Sequence, residues 1–244
     1  MRILVILHGT KYGGAQRVTI DLLKLTKEYI DYVVAVCSFS DKKIIKDIRQ
    51  LGIKTMIIPC SPSNGTRYYR ISVDYLGNAI LESDLVWMAD EVDLSIPLIK
   101  KLKRIPIVMH IHNYALVCPW WTASYGFEEV CLNKCTLYRL FNCKKRMINY
   151  LLRFGYISNT KCLVSLSLLP VKGLIDYSIK WPIGKEILDN IDGFIAVSQA
   201  SLKIHYAHLH AFFQDKMYRV IYNPIPSDVF SHITTNNIGK IEHE

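Results

Sequence analysis

The sequence predicts an α/β protein built on a doubly wound parallel sheet, and three observations lead to this prediction. Seven short runs are nearly continuous in aliphatic and β-branched residues, as in strands that are buried on both faces. Helical patterns separate the early runs. Strand and helix alternate from residue 2 to about 111, which favours right-handed crossovers between parallel strands. The predicted strands are 3–7, 32–37, 55–58, 85–88, 105–111, 194–197 and 219–222.

Three helical segments between the early strands carry apolar residues three or four positions apart. Asp41 precedes the second segment as its expected N-cap, and Gly52 follows it as its expected C-terminal stop. The stripes that we expect to face the sheet are Val18, Leu22, Leu25 and Tyr29 in the first helix, Ile44, Ile48 and Leu51 in the second, and Leu94, Leu98 and Leu102 in the third.

The alternation breaks from 113 to about 190, where we expect a Cys-rich and basic helical insert that includes a helix over 137–154. The whole is expected to form one domain over residues 1–230, followed by a polar, frayed tail at 231–244. The net charge of +9 is concentrated in the insert, because residues 136–185 contain nine basic residues and one acid. Such a segment attracts anions.

The composition excludes several classes of protein. Half of the 244 residues are hydrophobic and 21% are charged, which is typical of a soluble globular protein. The longest uncharged apolar run, at 162–171, has ten residues, so no membrane-spanning helix is expected. The N-terminus has no secretory signal pattern. We therefore expect a cytoplasmic protein without a disulfide framework, in which Cys37 and Cys60 are small core residues.

The first candidate site is the stretch "HGTKYGGAQRV", which follows the first strand. Ligands of open parallel sheets bind outside the carboxyl ends of the strands. There Gly13 and Gly14 would expose backbone N–H groups at the positive end of a helix, which suits phosphate, and Arg17 would face the same anion or solvent. The alternative is an ordinary strand-to-helix connection, because the stretch matches neither G-x-G-x-x-G nor a Walker loop.

Two histidines occur at the end of another buried strand, in "VMHIHNYALVCPWW". His110 and His112 are two positions apart, so they share one face of that strand. His112 is nearer the end and is the candidate for a general base or a polar contact to substrate hydroxyls. The alternative, which we favour for His110, is a hydrogen-bonded core histidine.

Four cysteines open the insert with the spacing C-x12-C-x3-C-x7-C. Four thiolates can bind zinc tetrahedrally, but the C-x2-C pairs of many zinc sites are missing. One or two disulfides, or free thiols, are equally open alternatives. The candidate metal ligands are Cys118, Cys131, Cys135 and Cys143.

The basic part of the insert is also rich in leucine and aromatic residues. Basic residues beside an apolar face indicate a helix that lies on anionic lipid. The alternative is the solvated face of ordinary helices. Nucleic acid is not an expected partner, because no binding motif accompanies the charge. The aromatic residues of this stretch are Tyr138, Phe141, Tyr150, Phe154 and Trp181.

Four segments resemble, in the same order, the N-terminal half of glycosyltransferase family 4 proteins. They are "ILVILHGTKYGGAQRVTIDLLK", "HIHNYALVCP", "IDGFIAVSQAS" and "VIYNPIPSDVF". The family usually has Glu where this chain has Gln16, and Asp where it has Asn113. A role that depends on negative charge is therefore not expected at either position.

The resemblance implies the GT-B architecture, in which two Rossmann-like domains enclose the active site. This chain would be the N-terminal, acceptor-side half, without the C-terminal donor-binding domain. His112 would then act near the reacting centre as the catalytic residue, the glycines would approach donor phosphate or acceptor, and Ser198 would line the cleft. The expected substrate-binding residues are Gly13, Gly14, Arg17, Asn113, Tyr114 and Ser198.

The expected function is the transfer of a sugar from a nucleotide sugar to a glycan or a polyprenyl-phosphate lipid, together with a separate C-terminal half. The resemblance implies that this chemistry requires no metal ion, and a structural zinc at the four cysteines is the one cofactor considered. The alternative is a non-catalytic module that binds a membrane surface or a carbohydrate. In either case we expect a cytoplasmic protein, peripheral at the inner face of the cell membrane through residues 136–185.

Overall fold

The computed structural model describes residues 1–8, 12–62, 69–89, 93, 95–114, 116–118, 123–133, 135–155 and 186–224. Its centre is a seven-stranded sheet of β1 (Arg2–Leu7), β2 (Asp31–Cys37), β3 (Lys54–Ile58), β6 (Leu85–Met88), β7 (Ile107–Ile111), β10 (Gly193–Ala196) and β11 (Met217–Val220). The order across the sheet is β11-β10-β7-β6-β1-β2-β3, and all neighbours are parallel. The predicted Rossmann-like, doubly wound fold is confirmed.

Two antiparallel pairs of very short strands lie outside this sheet. They are β4 (Cys60–Pro62) with β5 (Tyr69–Ile71), and β8 (Ser124–Tyr125) with β9 (Glu129–Val130). The sequence did not predict them, because two or three residues are too few to show an alternating pattern.

Within the described residues the helices are α1 (Gly14–Thr26), α2 (Lys42–Gln50), α3 (Gly77–Glu82), α4 (Ile96–Leu102), α5 (Leu137–Arg153) and α6 (Gln199–Phe213). A 3-10 turn spans Val73–Leu76, and residues 186–189 are also helical. The predicted ends of α2 are confirmed: Asp41 accepts a hydrogen bond from the Lys43 N–H (2.9 Å), and Gly52 follows the helix with a φ of +75°.

Alternate residues of β1 point into two cores, one on each face of the sheet. Leu4 and Ile6 belong to one cluster, which also contains Phe194 and Phe213. Val5 and Leu7 belong to the other, where helices α1 and α2 contribute side chains such as Leu23. Each fully buried side chain of this size contributes about 1.5–3 kcal/mol to folding, so both faces of the sheet hold the helices in place.

One predicted helix stripe is wrong, and another is wrong in part, because Val18 of α1 is buried and Leu22 packs against the core as expected. Leu25 and Tyr29 are exposed, whereas Ile20 and Leu23 of α1 are buried. In α4, Leu98 and Leu102 are exposed, and the buried residues are Ile96 and Ile99. Both helices carry aliphatic residues on more than one side, so spacing alone did not identify the side that packs against the sheet.

Cys37 and Cys60 are not separate core residues, as the sequence predicted, but form a disulfide bond. The bond joins the last residue of β2 to the first residue of β4, 23 positions further along the chain. Cys37 is fully buried at the end of its strand. The apolar context of both residues was recognised correctly, but the pairing depends on how closely β4 approaches β2.

The predicted helix at 137–154 is confirmed by α5, which begins at the N-cap Thr136, whose hydroxyl accepts from the Arg139 N–H (3.2 Å). In the described ranges no helix is both long and apolar enough to cross a bilayer. The predicted tail at 231–244, Leu94, Cys162, Trp181 and the basic stretch from 156 to 185 lie outside the described residues. The domain boundary at 230 stays a prediction.

Candidate functional site

The strand order reverses between β1 and β6, so this is the switch point at which ligands of such sheets bind. Because all seven strands are parallel, their carboxyl ends share one edge, called the carboxyl edge below. Gly14 begins α1 shortly after β1, and His112 directly follows β7. Only β6 lies between β1 and β7, so the axes of these two strands are about 10 Å apart. The glycine turn and the histidine pair therefore emerge at the same edge.

A buried pair of His8 and Asp93, which the sequence did not predict, lies at the switch point. His8, directly after β1, donates from Nε2 to Oδ2 of Asp93 (2.6 Å), and both side chains are fully buried. Asp93 Oδ1 accepts from the backbone N–H of Ser95 (2.6 Å), and Ser40 Oγ donates to the His8 carbonyl (2.7 Å). These bonds join the end of β1 to the segments that follow β2 and β6.

Both residues of this pair carried a signal in the sequence. His8 is the first polar residue after the apolar run of β1. Asp93 follows β6 closely, but it stands in the acidic stretch "DEVD", which resembles a solvated loop. The pairing is visible only when β1 and β6 are known to be neighbours.

The glycine turn has an extended Gly13 (φ −122°, ψ −171°) before the first helical residue, Gly14. The Gly13 N–H donates to Oε1 of Gln16 (3.0 Å), so Gln16 closes the turn as Glu would in a capping box. A Cβ on Gly14 would meet no atom within 4 Å. The conformation of the turn therefore does not require this glycine, and the space above it is open.

Arg17 lies on the first turn of α1. It is exposed, and its Nε lies 4.0 Å from Asp21 on the next turn of α1. Of the two alternatives for Arg17, the solvent-facing one is observed.

His110 and His112 lie against each other, with ring centroids 4.0 Å apart, and His110 also approaches Trp87 of β6 at 5.9 Å. His110 is buried, and within the described ranges neither of its ring nitrogens has a hydrogen-bond partner. The prediction of a hydrogen-bonded core histidine is wrong in this respect. Burial, and secondarily the charge of His112, lower the pKa of His110 to about 3. His112 is only partly buried and lies nearer the surface.

The loop after β7 packs on the first half of α6. Tyr114 stacks on His205 with ring centroids 5.4 Å apart and an angle of 19° between the planes. Burial lowers the pKa of His205 to about 4, while the Ser201 carbonyl, which accepts from Nδ1 (2.8 Å), and the backbone of Asn113 act in the opposite direction. The predicted residues Asn113 and Tyr114 are thus attached to α6 through His205.

Ser198 lies at the carboxyl end of β10 and is the N-cap of α6. Its Oγ accepts from the Ser201 N–H (3.0 Å). The structure therefore gives Ser198 a capping contact, and it also brings the N-terminus of α6 to the carboxyl edge, where β10 is the neighbour of β7.

The four cysteines of the insert have free thiols and surround one small cavity of about 20 Å³. Cys143 of α5 accepts from the Gly126 N–H (3.4 Å), and the carbonyl of Cys131 accepts from Nε2 of His208 on α6 (2.8 Å). Burial, followed by the charges of the neighbouring thiols Cys118, Cys131 and Cys143, raises the pKa of Cys135 to about 12. The sequence spacing thus identified residues that the fold brings together.

No group of three or more His, Cys, Asp and Glu side chains in the described part of the chain forms an arrangement that could hold a metal ion. The four thiols share a cavity but are not arranged as a metal cage.

No protein-family model matches the chain, and no curated protein matches it. Among solved structures, it is similar to HepE from Anabaena in complex with UDP-glucose, with 17% identity over 96% of this chain and 49% of that chain and a TM-score of 0.49. It is also similar to a UGT transferase from Siraitia grosvenorii in complex with UDP, with 11% identity over 91% of this chain and 50% of that chain and a TM-score of 0.44. The chain spans about half the length of these two proteins. Similarities at this level decide neither family nor activity.

Proposed function

We propose that the chain is the acceptor-side half of a GT-B glycosyltransferase that transfers a sugar from a nucleotide sugar to a glycan or lipid-linked acceptor. The observation that carries the proposal is the shared carboxyl edge, where the glycine turn before α1 and the histidine pair of β7 emerge with only β6 between them. The four segments that resemble glycosyltransferase family 4 occur in the family's order, which supports the same proposal.

In this proposal the start of α1 faces the diphosphate of the donor. The space above Gly14 is open, so an anion can lie against the backbone there. Backbone N–H groups and the positive end of the helix favour such an anion. The same contacts stabilise the departing nucleoside diphosphate, and the proposed chemistry therefore needs no metal ion.

His112 is the proposed catalytic residue, in contact with the sugar or the acceptor. His110 lies behind it at ring-contact distance and stays neutral, because its pKa is lowered to about 3. A neutral, buried ring beside His112 positions it without adding a second positive charge. The proposed substrate-binding residues are Gly13, Gly14, Arg17, Asn113, Tyr114 and Ser198.

The first test is the affinity of the chain for a nucleotide sugar such as UDP-glucose, measured by calorimetry or ligand-observed NMR. Gly14→Ala is expected to weaken binding about tenfold, because the methyl group displaces the phosphate from one charge-assisted hydrogen bond. Gly77→Ala, at the start of α3, is the matched control, since a Cβ there also meets nothing within 4 Å. Equal affinities of the two variants would count against a phosphate at the glycine turn.

The second test is sugar transfer, which we expect only after a separate C-terminal half is added. The chain, a candidate half and a nucleotide sugar are mixed with lipid-linked or glycan acceptors, and product is followed by mass spectrometry. His112→Ala should abolish transfer and leave the fold intact, because the side chain is only partly buried. Lack of transfer with every half encoded nearby would contradict the proposal.

The second candidate function is a non-catalytic module that binds a membrane surface or a carbohydrate. The excess of basic residues at 136–185 and the exposed aromatic residues of α5 favour it. Binding to vesicles or glycans without turnover in any mixture would separate this candidate from the first. Nucleic acid is not a proposed partner, and the proposed location is the cytoplasm, at the inner face of the cell membrane.

Structural zinc is the proposed cofactor of the four insert cysteines. Their shared cavity supports it, but the thiols must first rearrange, because they do not form a metal cage in this structure. Zinc binding would require the thiols to close on the cavity and to lose their protons. The protein, purified without chelator, should then contain about one zinc per chain. Cys135→Ser should lose this zinc, and a metal-free wild type with four titratable thiols or with disulfides would contradict it.

A further inference from the structure

One face of α5 presents large apolar side chains to solvent. Tyr138, Phe141 and Leu152 are 78%, 61% and 45% exposed. Lys145 lies between Phe141 and Leu152 on the same side of the helix. Successive members of the set 138, 141, 145 and 152 are three, four and seven positions apart, and residues at these spacings share one helix face. These four residues are called the α5 stripe below. A surface helix normally places polar residues on its solvent side, whereas α5 exposes these large apolar residues together with polar ones such as Arg146 and Asn149.

The opposite side of α5 already has its packing partners. Leu140, Cys143 and Lys144 are buried, and Cys143 contacts Ser124 and Gly126 of the neighbouring hairpin. The helix therefore cannot turn the α5 stripe inward without losing these contacts. Its exposed apolar residues are a feature of the folded chain.

The hairpin of β8 and β9 extends the apolar surface. Phe127 and Val130 are 37% and 65% exposed, and the Phe127 ring lies 5.8 Å from Tyr150 of α5. Tyr150 in turn contacts Phe154, which is 55% exposed just after the helix. Aromatic residues with an apolar ring and a polar end are typical of the boundary between lipid and water.

Positive charge lies beside these apolar residues. Lys145 and Arg153 are exposed on α5, and the ion pairs of the described residues include neither of them. Arg146 pairs with Glu129 at 3.3 Å. α5 itself contains five basic residues and no acid. A negatively charged partner would therefore complement this surface.

We propose that the α5 stripe and the hairpin tip lie on an anionic membrane, with α5 parallel to its surface. Apolar and aromatic side chains would enter the headgroup region, and Lys145 and Arg153 would contact lipid phosphates or carboxylates. An interfacial helix needs no membrane-spanning length, which agrees with the absence of such a helix from the described residues. A lipid surface fits better than nucleic acid, because the exposed residues between the charges include aliphatic leucine and valine, which do not stack on bases.

The experiment measures co-sedimentation of the whole chain with vesicles of phosphatidylcholine, with and without phosphatidylglycerol. Binding is expected only to the anionic vesicles, and it should be lost near 1 M salt, where the screening length falls to about 3 Å. Lys145→Glu with Arg153→Glu should weaken binding by about tenfold or more, because each basic residue near the surface contributes ~1 kcal/mol. Tyr138→Ser with Phe141→Ser should weaken it to a similar extent.

Matched controls replace residues of equal exposure elsewhere. Leu25→Ser with Tyr29→Ser changes two exposed apolar residues near the end of α1, and Lys24→Glu with Lys101→Glu reverses two exposed lysines. Both controls should bind within about twofold of the wild type, since neither pair belongs to the proposed surface. Circular dichroism confirms that all variants fold.

Failure of the wild type to bind anionic vesicles would overturn the proposal, as would equal loss in the controls and the α5 variants. Binding of a protein partner or of RNA that depends on the α5 stripe, without vesicle binding, would also overturn it. Vesicle binding needs neither a nucleotide sugar nor a second half. The membrane proposal and the glycosyltransferase proposal can therefore fail independently.

Discussion

The polar contacts at the two edges of the sheet differ in burial: those at the amino edge are exposed, and the pair at the carboxyl edge is buried. At the amino edge, Arg2 bonds Asp31 (2.6 Å) and Glu82 (2.8 Å), and its backbone N–H donates to Asp84 (2.8 Å). These side chains are between about two-fifths and three-fifths exposed. At the carboxyl edge, the pair of His8 and Asp93 is fully buried.

We use this difference to choose the candidate site between the two edges. The ion pairs of the amino edge connect the starts of β1, β2 and β6, and exposed pairs of this kind contribute little to stability. Burial of polar or charged side chains is costly, and such pairs persist where their geometry matters. The carboxyl edge combines such a pair with a neutral histidine and an open glycine turn, so we assign the candidate site to it.

The largest effect is expected at the buried pair. Asp93→Ala leaves His8 buried without its carboxylate partner, and the free energy of unfolding should fall by about 3–5 kcal/mol. Urea denaturation followed by circular dichroism measures this loss. A loss below about 1 kcal/mol would mean that the two edges do not differ in the way proposed.

The next effect concerns the disulfide at the carboxyl end of β2. Cys60→Ser removes the bond to Cys37 and should lower the free energy of unfolding by about 3 kcal/mol. Without the bond, the conformational entropy of the unfolded chain is higher. Ser61→Ala, at the exposed neighbour of Cys60, is the control and should leave the thermal midpoint unchanged. Alkylation of both Cys37 and Cys60 without reductant would contradict the bond.

A smaller effect per pH unit is expected from His110. In the unfolded chain His110 takes up a proton near pH 6.5, whereas in the folded chain its pKa is about 3. The contribution of neutral His110 to the free energy of unfolding is therefore complete above pH 6.5 and falls as the pH drops towards 3. The free energy of unfolding should decrease by up to about 1.4 kcal/mol per pH unit in this window. His110→Phe should flatten the slope, and the exposed His210→Phe should not. Equal slopes in both variants would show that His110 titrates normally.

The smallest effect is expected at the amino edge. Arg2→Ala removes two exposed ion pairs and should lower the free energy of unfolding by less than about 1 kcal/mol, with less effect at high salt. The same urea titration tests it beside Asp93→Ala. If Arg2→Ala lowers the free energy of unfolding as much as Asp93→Ala does, the difference in burial between the two edges has no effect on stability.

The sequence predicted all seven strands of the sheet from their continuous apolar runs. The expectation of burial on both faces is wrong for the edge strands β3 and β11, most of whose residues are exposed or only partly buried. It also predicted α5 and both ends of α2, where capping residues mark the boundaries. The sides on which α1 and α4 pack were not predictable, because both helices carry aliphatic residues all around. The partners of a helix, not its spacing, decide which of them are buried.

The candidate site was predictable only in part. Gly14 and His112 could be assigned to one edge, since each lies in the segment that follows a strand of a predicted parallel sheet. The bond of His8 to Asp93 joins positions 85 apart in the chain, and the disulfide joins positions 23 apart. Such pairings depend on tertiary proximity, which has no local signature in the sequence.

The hydrogen bond from His208 to the Cys131 carbonyl links α6 to the segment just after β9, and α5 holds the same hairpin through Cys143. Because α6 begins at Ser198 on the carboxyl edge, these contacts form one continuous bridge from α5 to that edge. A bilayer that held α5 would therefore also fix the tilt and height of the edge above the lipid. The distance from the carboxyl edge to an acceptor in the membrane would then be fixed by the fold, before any substrate binds.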